Sequence, residues 1–260
     1  MQQTEVVEAA NSRAGGRAIT IRGLEKTFPD GTRVLQPLDL DVADGEFASL
    51  VGPSGCGKST LLRIIGGLVP MSSGEVRTVE HARRAFVFQD PTLLPWRTVQ
   101  RNAELLLELE GVPKTERVQR TAEALKLVGL EGFEKARPRA LSGGMKMRLS
   151  LARALALRAQ LFLMDEPFSA LDEITREALN DELLRIWDSE AFTALFVTHN
   201  VYEAVYLSNR VVVMSTRPGR IVEDILIPFP FPRAPELRAT PEFAELAGSV
   251  SDALRRGMEQ

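Results

Sequence analysis

The sequence of 260 residues contains only one cysteine, Cys56. A single cysteine cannot form a disulfide within the chain, which fits a reducing compartment. Cys56 lies inside a glycine-rich segment, where a small side chain is required. We therefore interpret it as a residue that fits its loop and not as a redox group.

Long apolar runs and a large excess of one charge are also absent. No apolar run approaches the length that spans a bilayer, and the formal net charge of −3 gives no indication of nucleic-acid binding. The polar N-terminus lacks the basic start and apolar centre of a signal peptide, so residues 1–17 are predicted to be a disordered lead-in. With 44% hydrophobic and 26% charged residues, the rest should form one large domain or one domain with an inserted lobe.

The segment GPSGCGKST matches the phosphate-loop pattern G-x-x-x-x-G-K-[ST] in full. A short apolar strand, FASLV, leads into it, and an apolar helix is predicted to follow. The loop amides and the helix N-terminus would bind the phosphates of ATP, Lys58 would contact the β- and γ-phosphates, and Ser59 would hold Mg²⁺. The predicted nucleotide contacts are Gly52, Pro53, Ser54, Gly55, Cys56, Gly57, Lys58, Ser59 and Thr60.

Apolar strands alternate with helices along most of the chain, which predicts an α/β core with a mainly parallel sheet. Two strands at residues 17–28 and 33–42 predict an antiparallel β layer before this core. We assign residues 18–88 and 158–228 to the nucleotide-binding core and residues 89–157 to an inserted helical lobe. Residues 229–260 form a tail, which is proline-rich at first and then helical.

Two further motifs suggest phosphate chemistry. In LFLMDEP, the carboxylates follow an apolar strand, so Asp165 is predicted to hold Mg²⁺ and Glu166 to polarise an attacking water. In LSGGMKMR, Ser142 is predicted to cap a helix that begins with Gly143 and Gly144. The hydroxyl, the free amides and the helix dipole would form a second anion site.

LSGG followed by a basic, apolar helix resembles the signature motif of the ATP-binding cassette (ABC) ATPases, and the resemblance extends from about Ala18 to Ile227. It implies a homodimer, in which Ser142, Gly143 and Gly144 of one subunit close over the γ-phosphate held by the other. It also implies that Phe28 stacks on adenine and that Gln89 senses Mg²⁺ and the water. His199 would contact the γ-phosphate, and the loop Ser169–Asp172 would touch the partner. Glu166, His199, Gln89 and Lys58 are thus the predicted catalytic residues, and Ser59, Gln89 and Asp165 the metal residues.

The match is not complete. Met145 and Met147 stand where many members of the family carry glutamine, and the stretch from Gly74 to Phe86 is shorter than usual. The segments LLPWRTV, FSALDEITREAL and STRPGRI resemble the ATPases of nitrate, sulfonate and taurine importers. For His81, an ordinary structural histidine is the favoured interpretation.

The sequence therefore predicts the ATP-hydrolysing subunit of an importer for a small anion, located at the cytoplasmic face of the inner membrane. Its expected partners are separate membrane-spanning permease subunits and a periplasmic or lipid-anchored solute-binding protein, with no nucleic acid. A non-transport ABC ATPase that acts on nucleic acid or in translation is the alternative, and a regulator without turnover is a third. The absence of a long coiled-coil insertion or a second cassette opposes the second interpretation, and intact Glu166 and His199 oppose the third.

The proline-broken segment after Gln89 carries Leu93, Leu94 and Trp96, and we call Leu93–Trp96 the apolar loop. Clustered exposed apolar side chains mark interaction sites, and tryptophan is a frequent interface anchor. The apolar loop is therefore predicted to dock on a permease. The alternative is that Trp96 is buried in the core of the helical lobe.

Overall fold

The computed structural model describes residues 16–79 and 82–259. The described residues up to Ala82 and those from Ala191 onward form one compact unit, the first unit, and Arg83–Glu190 form the second unit. His81 and most of the predicted N-terminal lead-in lie outside the described residues. No helix in the described segments is both long enough and apolar enough to cross a membrane.

The strands and helices follow one another in the order expected from the sequence. The strands are β1 (Arg17–Thr27), β2 (Arg33–Ala43), β3 (Phe47–Val51), β4 (Ser73–Thr78), β5 (Arg84–Val87), β6 (Leu161–Asp165), β7 (Thr193–Thr198), β8 (Arg210–Met214) and β9 (Ile221–Leu226). The α-helices are α1 (Lys58–Ile65), α2 (Val99–Ala103), α3 (Leu105–Leu109), α4 (Lys114–Leu127), α5 (Gly143–Ala156), α6 (Glu173–Glu190), α7 (Val201–Leu207) and α8 (Pro241–Met258).

The first unit contains the predicted antiparallel layer, in which β1 pairs with β2 on one side and β4 on the other. Ile19 and Ile21 are fully buried, whereas Thr20 between them is half-buried. This alternation follows from the two-residue period of a strand. It confirms that Ile19 and Ile21 lie on one face of β1, as their spacing in the sequence predicts.

The first unit also contains parallel strands, with β3 between β7 and β8, and β9 antiparallel to β8 at the edge. Every residue of β3 and of β7 is buried, as expected for strands covered on both faces. Val51 at the end of β3 lies opposite Thr198 at the end of β7. The segments that follow these two strands therefore begin side by side. Helix α8 packs against α7, β8 and β9 and begins at a cap, where Thr240 Oγ1 accepts from Phe243 N.

In the second unit β5 and β6 are parallel, with Val87 opposite Met164, and helices α2–α5 lie between them in sequence. The second compact unit contains α6, β5 and β6 in addition to these helices. The limits 89–157 of the helical lobe therefore stay a prediction. The predicted helix after Thr98 is divided at Glu104 into two short helices.

The sequence from Lys114 to Leu130 predicts a helix that ends near Gly129, with an apolar stripe formed by Val118, Ala122, Leu125 and Val128. For α4 this stripe is partly wrong, because Val118 and Ala122 are exposed. The buried face runs instead through Thr121, Ala124 and Leu125 and continues to Val128. A polar residue at the centre of this face hides its helical period from a count of apolar residues. Gly129, with φ of +64°, follows the helix as predicted for its C-terminal end.

Candidate functional site

The phosphate loop connects β3 to α1 in the first unit, and its glycines have the conformations that the motif requires. Gly55 has φ of +75° and Gly57 has φ of +111°. A Cβ atom on Gly57 would lie 2.6 Å from Leu35 Cδ2, so the loop at Gly57 has no room for a side chain. Gly57 immediately precedes α1, which places the helix N-terminus at the end of the loop.

Lys58 is buried, and its ammonium lies inside the phosphate loop. Nζ donates to Gly52 O at 2.7 Å and to Pro53 O at 2.9 Å, and it lies 3.8 Å from the Sγ of Cys56. A charge held by neutral carbonyl groups is well placed to exchange them for phosphate oxygens. Cys56 is 1% exposed, consistent with its interpretation as a small residue that fits the loop.

A second loop of the first unit, Ser215–Arg220, supports the phosphate loop, and motif analysis did not assign it this role. Gly219 N donates to Val34 O, and Gln36 N donates to Gly219 O. A Cβ on Gly219 would overlap the carbonyl oxygen of Cys56. Arg217 Nε also donates to Gly55 O at 3.1 Å. The segment STRPGRI resembles importer ATPases, but nothing in its residues indicates a contact with Gly55.

His199 is exposed and directly follows β7. Because β7 and β3 are parallel neighbours, His199 lies beside the start of the phosphate loop, which follows β3. The next residue, Asn200, caps α7 by accepting from Glu203 N at 3.1 Å. Thr198 Oγ1 donates to Glu203 Oε2 at 2.5 Å. These bonds fix the backbone on both sides of His199.

Phe28 lies in the turn between β1 and β2, where Gly31 N donates to Phe28 O. It is 36% exposed, which leaves part of the ring available for stacking. The Lys26 ammonium lies 4.9 Å from the ring centroid and donates to Pro70 O at 2.6 Å. A cation over one face of the ring holds it in place.

In the second unit, Gln89 and the two carboxylates lie near the ends of paired strands. Gln89 follows β5 and is exposed, whereas Asp165 ends β6 and is 6% exposed. Because β5 and β6 are parallel neighbours, their carboxyl ends meet at one edge. The structure thus brings Gln89, Asp165 and Glu166 to the same strand ends.

Glu166 has a positive φ of +47°, which a residue with a Cβ atom rarely adopts. Ser169 stabilises the turn, since its hydroxyl donates to Glu166 O at 2.9 Å and its amide donates to the same atom at 3.2 Å. Strained backbone of this kind occurs often at functional sites. The sequence motif gave no indication of it.

Ser142 caps α5 as predicted, with its Oγ accepting from Met145 N at 3.3 Å. Ser142 and Gly143 are exposed, whereas Gly144 is buried. A Cβ on Gly144 would lie 3.0 Å from Thr175 Cγ2, so the start of α5 packs closely on the start of α6. Asp172 caps α6 by accepting from Thr175 N at 3.0 Å, and this bond lowers the pKa of the Asp172 carboxyl.

The apolar loop is open to solvent at its tip, because Trp96 is 69% exposed. Leu93 and Leu94 are half-buried. The alternative that Trp96 is buried in the core of the helical lobe is therefore wrong.

Comparison with known proteins identifies the family. The family model described as ABC transporter matches residues 35–169. The chain belongs to the ABC transporter family. An uncharacterized ABC transporter ATP-binding protein of Methanocaldococcus jannaschii is 48% identical over 246 residues, covering 91% of each chain. Two named relatives are the aliphatic sulfonates import ATP-binding protein of Bacillus cereus, 40% identical (92% of this chain, 96% of that one), and the taurine import ATP-binding protein of Rhizobium johnstonii, 44% identical (83% and 87%).

Solved structures give the same result for this ABC protein. A dimeric ATP-binding cassette in a post-hydrolysis state with ADP and Pi has a TM-score of 0.72 at 31% identity, covering 80% of this chain and 98% of that one. The cbiO1 protein of Clostridium perfringens has a TM-score of 0.74 at 23% identity, covering 93% and 98%, and supports the fold alone. The chain is thus an ABC ATPase that binds ATP, and both its predicted family and its α/β phosphate-loop fold are confirmed.

Proposed function

We propose that this ABC ATPase powers the import of a small anion such as a sulfonate, taurine or nitrate. The relatives named as sulfonate and taurine import proteins support this substrate class. The observation in the chain itself that carries the proposal is the exposed Trp96 of the apolar loop, which follows Gln89 by seven positions in the sequence. A loop of this kind can report the state of the nucleotide to a bound partner.

We assign the nucleotide contacts as the motifs predict them. Gly52–Thr60 bind the phosphates, Phe28 stacks on the base, and Lys58 contacts the β- and γ-phosphates. Ser59, Gln89 and Asp165 would hold Mg²⁺, and hydroxyl, amide and carboxylate oxygens are ligands that this hard cation accepts. Mg²⁺ held there would supply neutralisation of the phosphate charge of ATP.

Glu166 orients and activates the attacking water, and His199 contacts the γ-phosphate. Ser142, Gly143 and Gly144 act on the ATP held by a second copy, so the active form is a homodimer. The dimeric cassette among the similar structures supports this arrangement. Most of the rate enhancement then comes from positioning and electrostatics, without a covalent intermediate.

The partners that complete the transporter are separate permease chains, which place this subunit at the cytoplasmic face of the inner membrane. A periplasmic or lipid-anchored solute-binding protein delivers the anion. Trp96 provides the main anchor on the permease, since large exposed aromatic residues dominate interface energetics.

The test compares Trp96→Glu with Leu109→Glu, a matched control because Leu109 is 76% exposed and lies in the same unit. Both variants should fold with melting temperatures close to that of the wild type, because neither buries the new charge. Both should keep the ATPase activity of the isolated subunit. With the permease co-expressed, Trp96→Glu should fail to co-purify and to support uptake of taurine, alkanesulfonate or nitrate, whereas Leu109→Glu should retain both properties.

Uptake at the wild-type rate by Trp96→Glu would contradict the docking role of the apolar loop. A wild-type subunit that binds no permease, but whose ATPase activity rises with DNA, RNA or ribosomes, would instead support the non-transport alternative.

A further inference from the structure

The side-chain amide of Asn102 in α2 is completely buried and bonded to the backbone of the apolar loop. Its Oδ1 accepts from Leu94 N at 2.8 Å, and its Nδ2 lies 3.1 Å from Leu94 O. Nδ2 also lies within hydrogen-bond distance of Arg97 O, at 3.3 Å, and of Thr98 O, at 3.0 Å. One side chain therefore fixes both polar groups of Leu94, as a neighbouring strand would.

Asn102 also accepts hydrogen bonds from a buried cationic side chain of α5. Arg153 Nε donates to Asn102 O at 3.1 Å, and Arg153 Nη2 donates to Asn102 Oδ1 at 3.3 Å. Arg153 is 8% exposed, and burial lowers its pKa. Among the described residues, no carboxylate forms an ion pair with Arg153, so Asn102 supplies much of the polar environment of this charge. Neither residue can be changed without affecting the other.

Arg153 and Ser142 belong to opposite ends of one rigid element. Arg153 lies eleven positions after Ser142, which corresponds to about 16 Å along a helix. Leu149, Ala152 and Ala154 of α5 are buried, so the helix is held firmly along its length. The chain of contacts runs from the cap at Ser142, through α5 and Arg153, to Asn102 and the apolar loop.

We propose that Asn102 and Arg153 are positioning residues that make the apolar loop and the Ser142 end of α5 move as one body. The inference rests on the proposed function, because it assigns the apolar loop to a permease and Ser142 to the ATP of a second copy. A displacement imposed on the loop by the permease would then shift Ser142, and ATP engagement by Ser142 would shift the loop.

The test measures a stimulation factor, which is the ATPase rate of the subunit in its permease complex in liposomes divided by the ATPase rate of the isolated subunit. Asn102→Asp removes the donors to the loop carbonyls while keeping both acceptor positions for Arg153. Arg153→Lys keeps the charge but cannot donate twice in the same geometry. Leu125→Ala, at a buried apolar position of α4 whose side chain forms no hydrogen bond with Asn102 or Arg153, is the control for lost stability.

For Asn102→Asp and for Arg153→Lys we expect the stimulation factor to fall about fivefold or more, the lower end of typical coupling between sites. The activity of the isolated, folded subunit should stay within about twofold of the wild type, since neither residue is assigned a contact with ATP. The double variant should lose no more than the more severe single variant, because the two residues act through one link. Leu125→Ala should lower the melting temperature and leave the stimulation factor unchanged.

Normal stimulation in folded Asn102→Asp and Arg153→Lys would overturn the link, as would an equal loss in Leu125→Ala. Additive losses in the double variant would also contradict it. If the permease fails to stimulate the wild-type subunit, the proposed function itself is wrong, and that outcome is distinguishable because it appears before any variant is examined.

Discussion

At the scale of single residues, Glu166 combines a proposed chemical role with a strained backbone. A left-handed conformation costs a residue with a Cβ atom about 1–3 kcal/mol, and it persists only where the surroundings enforce it. Ser169 enforces it here through two hydrogen bonds to the Glu166 carbonyl oxygen. A glycine would adopt the same turn without this cost. The glutamate at this position is therefore expected to be retained for its carboxylate and not for stability.

This argument predicts different effects for two substitutions of Glu166. Glu166→Gln should reduce steady-state ATP hydrolysis about 100-fold or more while still binding MgATP, because the general base is lost. Glu166→Gly should lose hydrolysis equally but raise the free energy of unfolding by about 1 kcal/mol, because the strain is relieved. Phosphate release and urea denaturation measure the two effects. Near-normal hydrolysis by Glu166→Gln would assign the catalytic role to another residue.

At the scale of elements, the tail fastens the helix that follows His199. Arg233 is buried, and it donates to Val205 O at 3.0 Å, to Tyr206 O at 2.6 Å and to Ser208 O at 2.9 Å. These carbonyl groups lie at the C-terminal end of α7, where a cation is favourable. Burial lowers the pKa of Arg233 to about 9. Because α7 begins two residues after His199, the tail restrains the segment that carries this histidine.

Arg233→Met is expected to lower the free energy of unfolding by about 3 kcal/mol, because several buried carbonyl groups lose their donor. The ATPase activity of the remaining folded protein should also fall, since α7 is no longer fixed at its C-terminal end. Arg256→Met is the control, because Arg256 is exposed and its ion pair with Glu223 contributes little. Equal stability of the two variants in urea denaturation would refute the anchoring role.

The sequence was sufficient for elements with a clear period or motif, and insufficient where tertiary contacts decide. The phosphate loop between β3 and α1 and the Ser142 cap of α5 lie where the pattern predicted them, because local spacing specifies them. The predicted buried face of α4 was partly wrong, because the polar residue Thr121 lies at the centre of the observed face. The support of Gly55 by Arg217 and of Leu94 by Asn102 could not be predicted, because these bonds join residues whose spacing forms no recurrent motif.

At the scale of the whole molecule, the proposed catalytic unit is larger than one chain. The start of α5 presents exposed Ser142 and Gly143 in the second unit, and the phosphate loop already provides a helix N-terminus in the first unit. Two such anion sites in one chain are explained if the first acts on the chain's own ATP and the second on the ATP of a partner. Because the proposed contact is the same in both directions, the homodimer would have two-fold symmetry.

Mixing two inactive variants tests this shared site. Lys58→Ala loses tight ATP binding, and Ser142→Arg blocks the contact with the partner's ATP. In a mixed dimer one composite site carries both lesions and the other carries none. Hydrolysis should therefore return to about a quarter of the wild-type rate when equal amounts exchange freely and the sites act independently.

Dilution of the wild-type protein gives a second measurement, which does not depend on whether the two sites hydrolyse ATP independently. For a weak dimer, the rate per chain should rise with protein concentration and reach a plateau once the dimer dominates, because association follows mass action. The Glu166→Gln variant should elute as a dimer in size-exclusion chromatography with MgATP, and as a monomer without it, since ATP bridges the two chains. A rate per chain that stays constant down to concentrations at which only monomer is present would refute the shared site, because an isolated chain would then supply every group that hydrolysis requires.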